Sequence, residues 1–289
     1  MVAKCGPLST VREASGLRET ISSWRSANYK IGLVPTMGAL HEGHISLIRR
    51  SLSETDRTCV TLFVNPRQFG PSEDFSLYPR DELSDVKVLT DVGAHLLFAP
   101  EQAEMYPSDF ATNVTISGLG DRLEGEFRPG FLAGVATVVA KLLIQAMPDV
   151  AYFGEKDYQQ LLVIRQMVAD LGIPVAIRAM PTVREADGLA LSSRNSYLTP
   201  ERRELAPILY RTLCKMVEGV VAGKQVKSLE QCAENELLEA GFDRIDYITI
   251  RDSQSLEQLN KVEKPSRALA AVWLGKTRLI DNISISDSV

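Results

Sequence analysis

Two of the three histidines in this 289-residue chain, His41 and His44, stand three apart in the stretch Met37-Gly38-Ala39-Leu40-His41-Glu42-Gly43-His44. Imidazoles at that spacing can reach one polyanion together, and Gly38 and Gly43 let the backbone come close to it. As hydrogen-bond donors they could stabilise the charge that builds on a phosphorus centre during in-line displacement. Zinc is the competing chemistry. The metalloprotease helix places His at i and i+4, whereas His41-Glu42-Gly43-His44 is an i, i+3 pair with a helix-weakening glycine inside, and no third ligand cluster is evident.

Three more stretches carry chemistry. In Phe63-Val64-Asn65-Pro66-Arg67-Gln68-Phe69-Gly70, the amides of Asn65 and Gln68 can pair with hydroxyls or a carboxylate, and Pro66 stiffens the loop, although a turn with exposed polar groups is the default reading of these residues taken alone. In Phe153-Gly154-Glu155-Lys156-Asp157-Tyr158-Gln159-Gln160, Gly154 permits close approach, Lys156 brings a mobile positive charge and Asp157 can accept from ribose hydroxyls. Gln160 sits one turn further on. A plain solvated helix start, capped by Asp157, accounts for the same residues equally well. In Leu189-Ala190-Leu191-Ser192-Ser193-Arg194-Asn195-Ser196, two hydroxyls and a guanidinium suit a triphosphate, in a loop placed to act as a lid.

The elements that must position these loops are readable from periodicity. Strand candidates Lys30–Val34, Thr58–Val64, His95–Ala99, Val150–Phe153 and Pro174–Met180 alternate with helices, which predicts a Rossmann-like parallel α/β sheet. Ile45, Ile48 and Leu52 mark one helix. Leu132, Val135, Val138, Val139, Leu142 and Leu143 mark a second that stops before Pro148, and Leu161, Leu162, Arg165, Val168 and Leu171 a third ended by Gly172 and Pro174. Each of the first three chemical stretches follows a strand, where such sheets place ligands, and a helix N-terminus there favours anions. After about Thr182 the texture changes to a Ser/Arg/Asn-rich loop, a helix capped by Thr199-Pro200, a helix around Leu229 to Ala240, and three runs, Arg244–Ile250, Ala268–Leu274 and Leu279–Ile283, that read as an antiparallel sheet. We therefore expect a larger nucleotide-binding domain over residues 1–182 and a smaller α+β domain over 183–289.

A net charge of -5, with ordinary apolar and charged fractions, argues for a folded globule and against a nucleic-acid footprint. The start Met1-Val2-Ala3-Lys4-Cys5 lacks the apolar core of a signal peptide, and no stretch approaches the ~20 apolar residues of a membrane span. Cys5, Cys59, Cys214 and Cys232 are too scattered for a metal site and read as reduced thiols. A cytoplasmic location is expected.

Taken together, the four stretches resemble the pantothenate synthetase family, in the nucleotidyltransferase superfamily that shares the His-containing signature seen at 41–44. The resemblance runs from about Lys30 onward and includes Glu73-Asp74-Phe75, Tyr78-Pro79-Arg80, Glu104-Met105-Tyr106-Pro107 and Arg128-Pro129-Gly130. It implies a Mg2+-ATP-dependent condensation of pantoate with β-alanine through a pantoyl adenylate, by a homodimer whose smaller domain closes as a lid. It further implies ATP contacts from Met37, Gly38, Ala39, Leu40, His41, Glu42, Gly43 and His44, from Gly154, Glu155, Lys156 and Asp157, from the backbone of Val183, and from Leu191, Ser192, Ser193 and Arg194. By the same resemblance Gln68 and Gln160 bind pantoate, and His44, His41 and Lys156 are catalytic, His44 donating the proton. One departure stands out: where the family commonly has His and an aromatic residue after Arg128-Pro129-Gly130, this chain has Phe131-Leu132. The alternatives are a related nucleotidyltransferase, a tRNA synthetase, which length and charge disfavour, and a non-catalytic nucleotide-binding module.

Overall fold

The computed structural model of the chain describes residues 8–71 and 73–285; the readings made on Cys5 and on the Met1-Cys5 start lie outside them. The chain forms two compact units. One takes the residues up to Glu155 together with Gln160–Pro181, the other takes Lys156–Gln159 together with the residues from Thr182.

The first unit is built on six parallel strands: β1 (Ser9–Val11), β2 (Ile31–Thr36), β3 (Arg57–Leu62), β4 (Leu96–Phe98), β5 (Val150–Gly154) and β6 (Ala176–Met180), in the order β1-β4-β3-β2-β5-β6. From β2 the chain builds outward through β3 and β4, then returns to lay β5 on the other side of β2. That reversal makes the carboxyl ends of β2 and β5 the topological switch point, where open α/β sheets bind ligands. The loops beginning at Met37 and at Glu155 both leave from there. Helices α1 (Ala14–Ser26), α2 (Glu42–Glu54), α3 (Glu82–Val92), the short α4 (Gln102–Met105) and α5 (Glu124–Phe127), α6 (Phe131–Ala146) and α7 (Tyr158–Asp170) complete the framework.

The predicted stripe of α6 is buried throughout, and the helix ends at Ala146 before Pro148. Two other helices turn a different face inward than expected. In α2 the core residues are Leu47, Ile48 and Ser51, with Ile45 and Leu52 only half-buried. Ser51 fits because α2 crosses β2 at Gly32, where a Cβ would lie 2.1 Å from Ser51 Oγ, and because its hydroxyl meets Thr58 Oγ1 at 2.8 Å. In α7, Val163, Ile164 and Met167 join Leu161 and Leu162 in the core, while Arg165 is exposed, as is Leu171 just past the end of the helix.

The second unit packs α9 (Ile208–Val221) and α10 (Val226–Glu239), preceded by α8 (Pro200–Leu205), on one face of the antiparallel sheet β7 (Arg244–Asp252), β8 (Ser266–Leu274) and β9 (Thr277–Ile285). Leu209, Leu213, Met216, Ile250, Ala270 and Val272 are among its core residues. Thr199 caps α8 as predicted, its hydroxyl accepting from the Arg202 N–H. Among the described residues no helix is long and apolar enough to cross a membrane. Cys59, Cys214 and Cys232 are free thiols, and burial pushes that of Cys59 up to about 12.

Candidate active site

The loop after β2 is held in a shape its sequence alone would not choose. Gly38 has φ +87° and Ala39 φ +50°, and a left-handed alanine costs on the order of 1–2 kcal/mol. The cost is offset by Asp85, a buried carboxylate on α3 that accepts the N–H groups of Ala39 (3.0 Å) and Leu40 (2.8 Å). A side chain at Gly38 would meet that carboxylate at 2.9 Å, so this position needs glycine for space as well as for φ. Burial pushes the Asp85 carboxyl up, and the two amides pull it partway back. Its two bonds brace the loop from α3.

Helix α2 begins with its own histidines. His41 is the N-cap, and its Nδ1 accepts the Gly43 N–H at 3.2 Å, while His44 Nδ1 accepts the His41 N–H at 3.4 Å. The rings lie 4.1 Å apart, centroid to centroid. An imidazole whose Nδ1 accepts carries its proton on Nε2, so the cap selects the tautomer that leaves Nε2 as the donor. The N–H groups of Ala39, Leu40, His41 and Gly43 are bonded inside the protein, which leaves the donor role expected of the imidazoles to their Nε2 atoms. Met37 is half-buried beside Gln68, and the carboxylate of exposed Glu42 pairs with Arg49.

The loop after β3 sorts its two amides into different tasks. Asn65 is buried and spent internally: Oδ1 accepts from the Arg67 N–H and the Tyr106 hydroxyl (2.9 Å), and Nδ2 donates to Gly134 O (3.1 Å) and Gln68 Oε1 (3.0 Å). The reading of Asn65 as a substrate contact gives way to that of a strut. Its bond to Gln68 Oε1 turns the Gln68 amide so that Nε2 is the outward donor, 2.9 Å from Met37 Sδ. Gly134 of α6 makes the approach possible, since a Cβ there would lie 2.0 Å from Arg67 O. The Gln68 carbonyl also accepts from Arg128 Nη2 at 3.3 Å, and Arg128 is paired with Glu73 through Nε (2.8 Å) and Nη2 (2.5 Å). Phe131, the departure from the family pattern, lies under this guanidinium, 3.7 Å from its carbon to the ring centroid. Tyr106, whose phenol burial pushes up to about 12, and Arg128 thus draw three of the other short motifs in behind Gln68.

The remaining predicted residues divide between the units. Gly154 ends β5 and Glu155 follows it in the first unit, with Gln160 in the first turn of α7; all three are half-buried. In the second unit Lys156 Nζ lies 3.7 Å from Asp157 Oδ1. Val183 and Leu191 are brought together there, the Leu191 N–H donating to Val183 O at 3.0 Å. Ser192 caps a turn of 3-10 helix over Ser193–Tyr197, its Oγ accepting from the Arg194 N–H.

The model of the pantoate-beta-alanine ligase family matches residues 9–284. The chain belongs to that family. It is similar to the pantothenate synthetase of Paramagnetospirillum magneticum, 55% identical over 95% of this chain and 97% of the relative, and to that of Rhodospirillum rubrum, 52% identical over 96% and 99%. Among solved structures, pantothenate synthetase from Thermus thermophilus superposes with a TM-score of 0.91 at 46% identity, covering 96% of this chain and 99% of that one. The ligase from Francisella tularensis, solved with a β,γ-ATP compound and β-alanine, gives 0.82 at 35% identity over 96% and 98%. The fold of this ligase, a parallel-sheet unit with a small antiparallel-sheet unit, is of the class expected from sequence, with β1 a sixth parallel strand beyond the five candidates.

Sequence reasoning missed Asp85 and Gly134. The signal for Asp85 was a carboxylate four residues before Leu89 on the buried side of α3. Replacing Asp85 with alanine strands two amides, at about 1–3 kcal/mol each. We expect a clear drop in melting temperature and a rise of roughly 10-fold or more in the KM for ATP, with the KM for pantoate little changed. Steady-state kinetics beside thermal unfolding would check this, and an unaltered KM for ATP in folded protein would remove Asp85 from the site.

Proposed function

We propose that the chain makes pantothenate from pantoate and β-alanine in two steps on ATP. A pantoate carboxylate oxygen attacks the α-phosphorus, the bond to the β-phosphate oxygen breaks and pyrophosphate leaves; the β-alanine amine then attacks the acyl carbon of the adenylate, AMP leaves and the amine loses a proton. The observation that carries this reading is the pair of imidazoles held through Nδ1 in the cap of α2, at the sheet's switch point. Donors held beforehand where charge develops stabilise a transition state without reorganising.

In this reading ATP lies along Met37–His44 and along Gly154–Asp157, its adenine meets the Val183 backbone, and Leu191–Arg194 hold the triphosphate. Gln68, with its amide turned by Asn65, and Gln160 take pantoate. His44 donates through Nε2 to the charge that builds at the α-phosphate, with His41 beside it as a second donor and Lys156 neutralising the phosphates. Residues from 183 on act as a lid over the domain formed by 1–182, shielding the acyl adenylate from water. Among the described residues no group of three or more His, Cys, Asp or Glu is disposed to hold a metal ion, and Asp85 spends both carboxylate oxygens on amides. Mg2+ enters this reading as the counter-ion of the ATP phosphates. A cytoplasmic homodimer completes it.

The test is exchange of labelled pyrophosphate into ATP. It should require pantoate and proceed without β-alanine. Folded protein that forms pantothenate but shows no such exchange would rule out the adenylate.

A further inference from the structure

Behind Lys156 and behind the Val183–Leu191 turn stand two consecutive residues of β9, Asp281 and Asn282, 4% and 5% exposed. Neighbours on a strand point to opposite faces. Leu279 and Ile283, two residues either side of Asp281, pack in the core beneath the helices, which puts Asp281 on the helix side and Asn282 on the other face.

On the helix side Asp281 grips Arg184, the residue after Val183, with Oδ2 at 2.6 Å from Nη1 and Oδ1 at 2.9 Å from Nη2. The same guanidinium donates to Gly188 O at 3.0 Å and lies over the Tyr210 ring at 4.0 Å. One carboxylate thereby pins both arms of the turn that joins Val183 to Leu191. On the opposite face Asn282 Nδ2 donates to the Lys156 carbonyl at 2.9 Å, and its Oδ1 accepts from Arg267. Arg267 in turn covers the Tyr158 ring at 3.7 Å, and the Tyr158 hydroxyl donates to Ser253 O at 2.7 Å. The segment Lys156–Tyr158 is laid against the sheet by these contacts. A bidentate Arg–carboxylate pair and a buried amide fix direction as well as distance, which apolar residues at the same two positions could not do.

We infer that Asp281 and Asn282 are positioning residues of the ligase reaction, one setting the turn that meets the adenine and the other setting the main chain from which the Lys156 ammonium reaches the phosphates. The inference rests on the roles given above to Val183 and Lys156. It predicts a division of labour. Asp281 acts on nucleotide affinity, and Asn282 acts on the chemical step.

Full-length Asn282→Asp and Asp281→Asn provide the test, assayed by steady-state kinetics and thermal unfolding. Asn282→Asp keeps the acceptor for Arg267 but turns an oxygen toward the Lys156 carbonyl. Its kcat should fall roughly 10-fold or more while the KM for ATP stays within about 3-fold. Asp281→Asn should do the reverse, raising the KM for ATP roughly 10-fold with kcat held within about 3-fold. The comparison is Asp246→Asn, which disturbs another buried polar group of this unit, bonded to Trp273 Nε1 and Arg278 Nε, and should lower only the melting temperature. If either variant fails to fold, Asn282→Ala and Asp281→Ser are judged by the same split. Loss of melting temperature alone, as in Asp246→Asn, or equal effects on kcat and KM in both variants, would overturn the inference. Failure of the underlying function would look different, because wild-type protein itself would then show no pantoate-dependent exchange.

Discussion

His44→Ala should lower ATP-dependent turnover by roughly 10² or more, with the loss in kcat rather than in the KM for ATP, as for a donor that acts in the transition state. The structure adds a complication and a remedy. His44 Nδ1 also accepts the His41 N–H in the cap of α2, so removing the ring costs about 1 kcal/mol of helix start besides the donor. Asparagine and glutamine separate the two. An asparagine oxygen sits near the place of Nδ1, and a glutamine NH2 near that of Nε2. His44→Asn should keep the melting temperature and lose the rate, whereas His44→Gln should lose some stability and recover part of the rate. Wild-type turnover in His44→Asn would show that the ring serves only as a cap.

The second large effect is expected at Lys156. Its side chain is 19% exposed and its ion pair with Asp157 is loose, at 3.7 Å, so the residue adds little to folding. Lys156→Ala should melt within a degree or two of wild type yet lose roughly 10² or more in kcat, because a charge meant for a phosphoryl oxygen is gone at the moment negative charge moves. Lys156→Arg should recover little, since a planar fork does not take the place of a compact ammonium. Turnover near wild type in Lys156→Ala would take the residue out of the chemistry.

The parts of this molecule that sequence made legible are those whose meaning is local. The five central strands and their alternation with helices, the α6 stripe, the Thr199 cap and the loops bearing His41, Gln68, Lys156 and Ser192 announce themselves within ten or so residues. What escaped reading depends on partners far along the chain. Asp85 bonds 46 and 45 residues back to Ala39 and Leu40, Asn65 reaches 69 residues on to Gly134, and Asn282 reaches 126 back to Lys156. Nothing in the spacing of a polar residue says which amide it will find. Asn65 therefore offers itself in sequence as a substrate group or as an exposed turn residue, when four internal bonds occupy it. Strand β1, three residues on the sheet's edge, is too short to show an alternation.

The histidine cap has a consequence for measurement. Because the Gly43 amide proton is bonded to the His41 ring, its exchange with deuterium reports fraying of the first turn of α2 and release of the imidazole as one event. Slow exchange there would mean that the donors are aimed before any nucleotide arrives. Quickened exchange in acid would mean that a second proton on the ring, which leaves Nδ1 nothing to accept with, unwinds the end of the helix that carries the reaction.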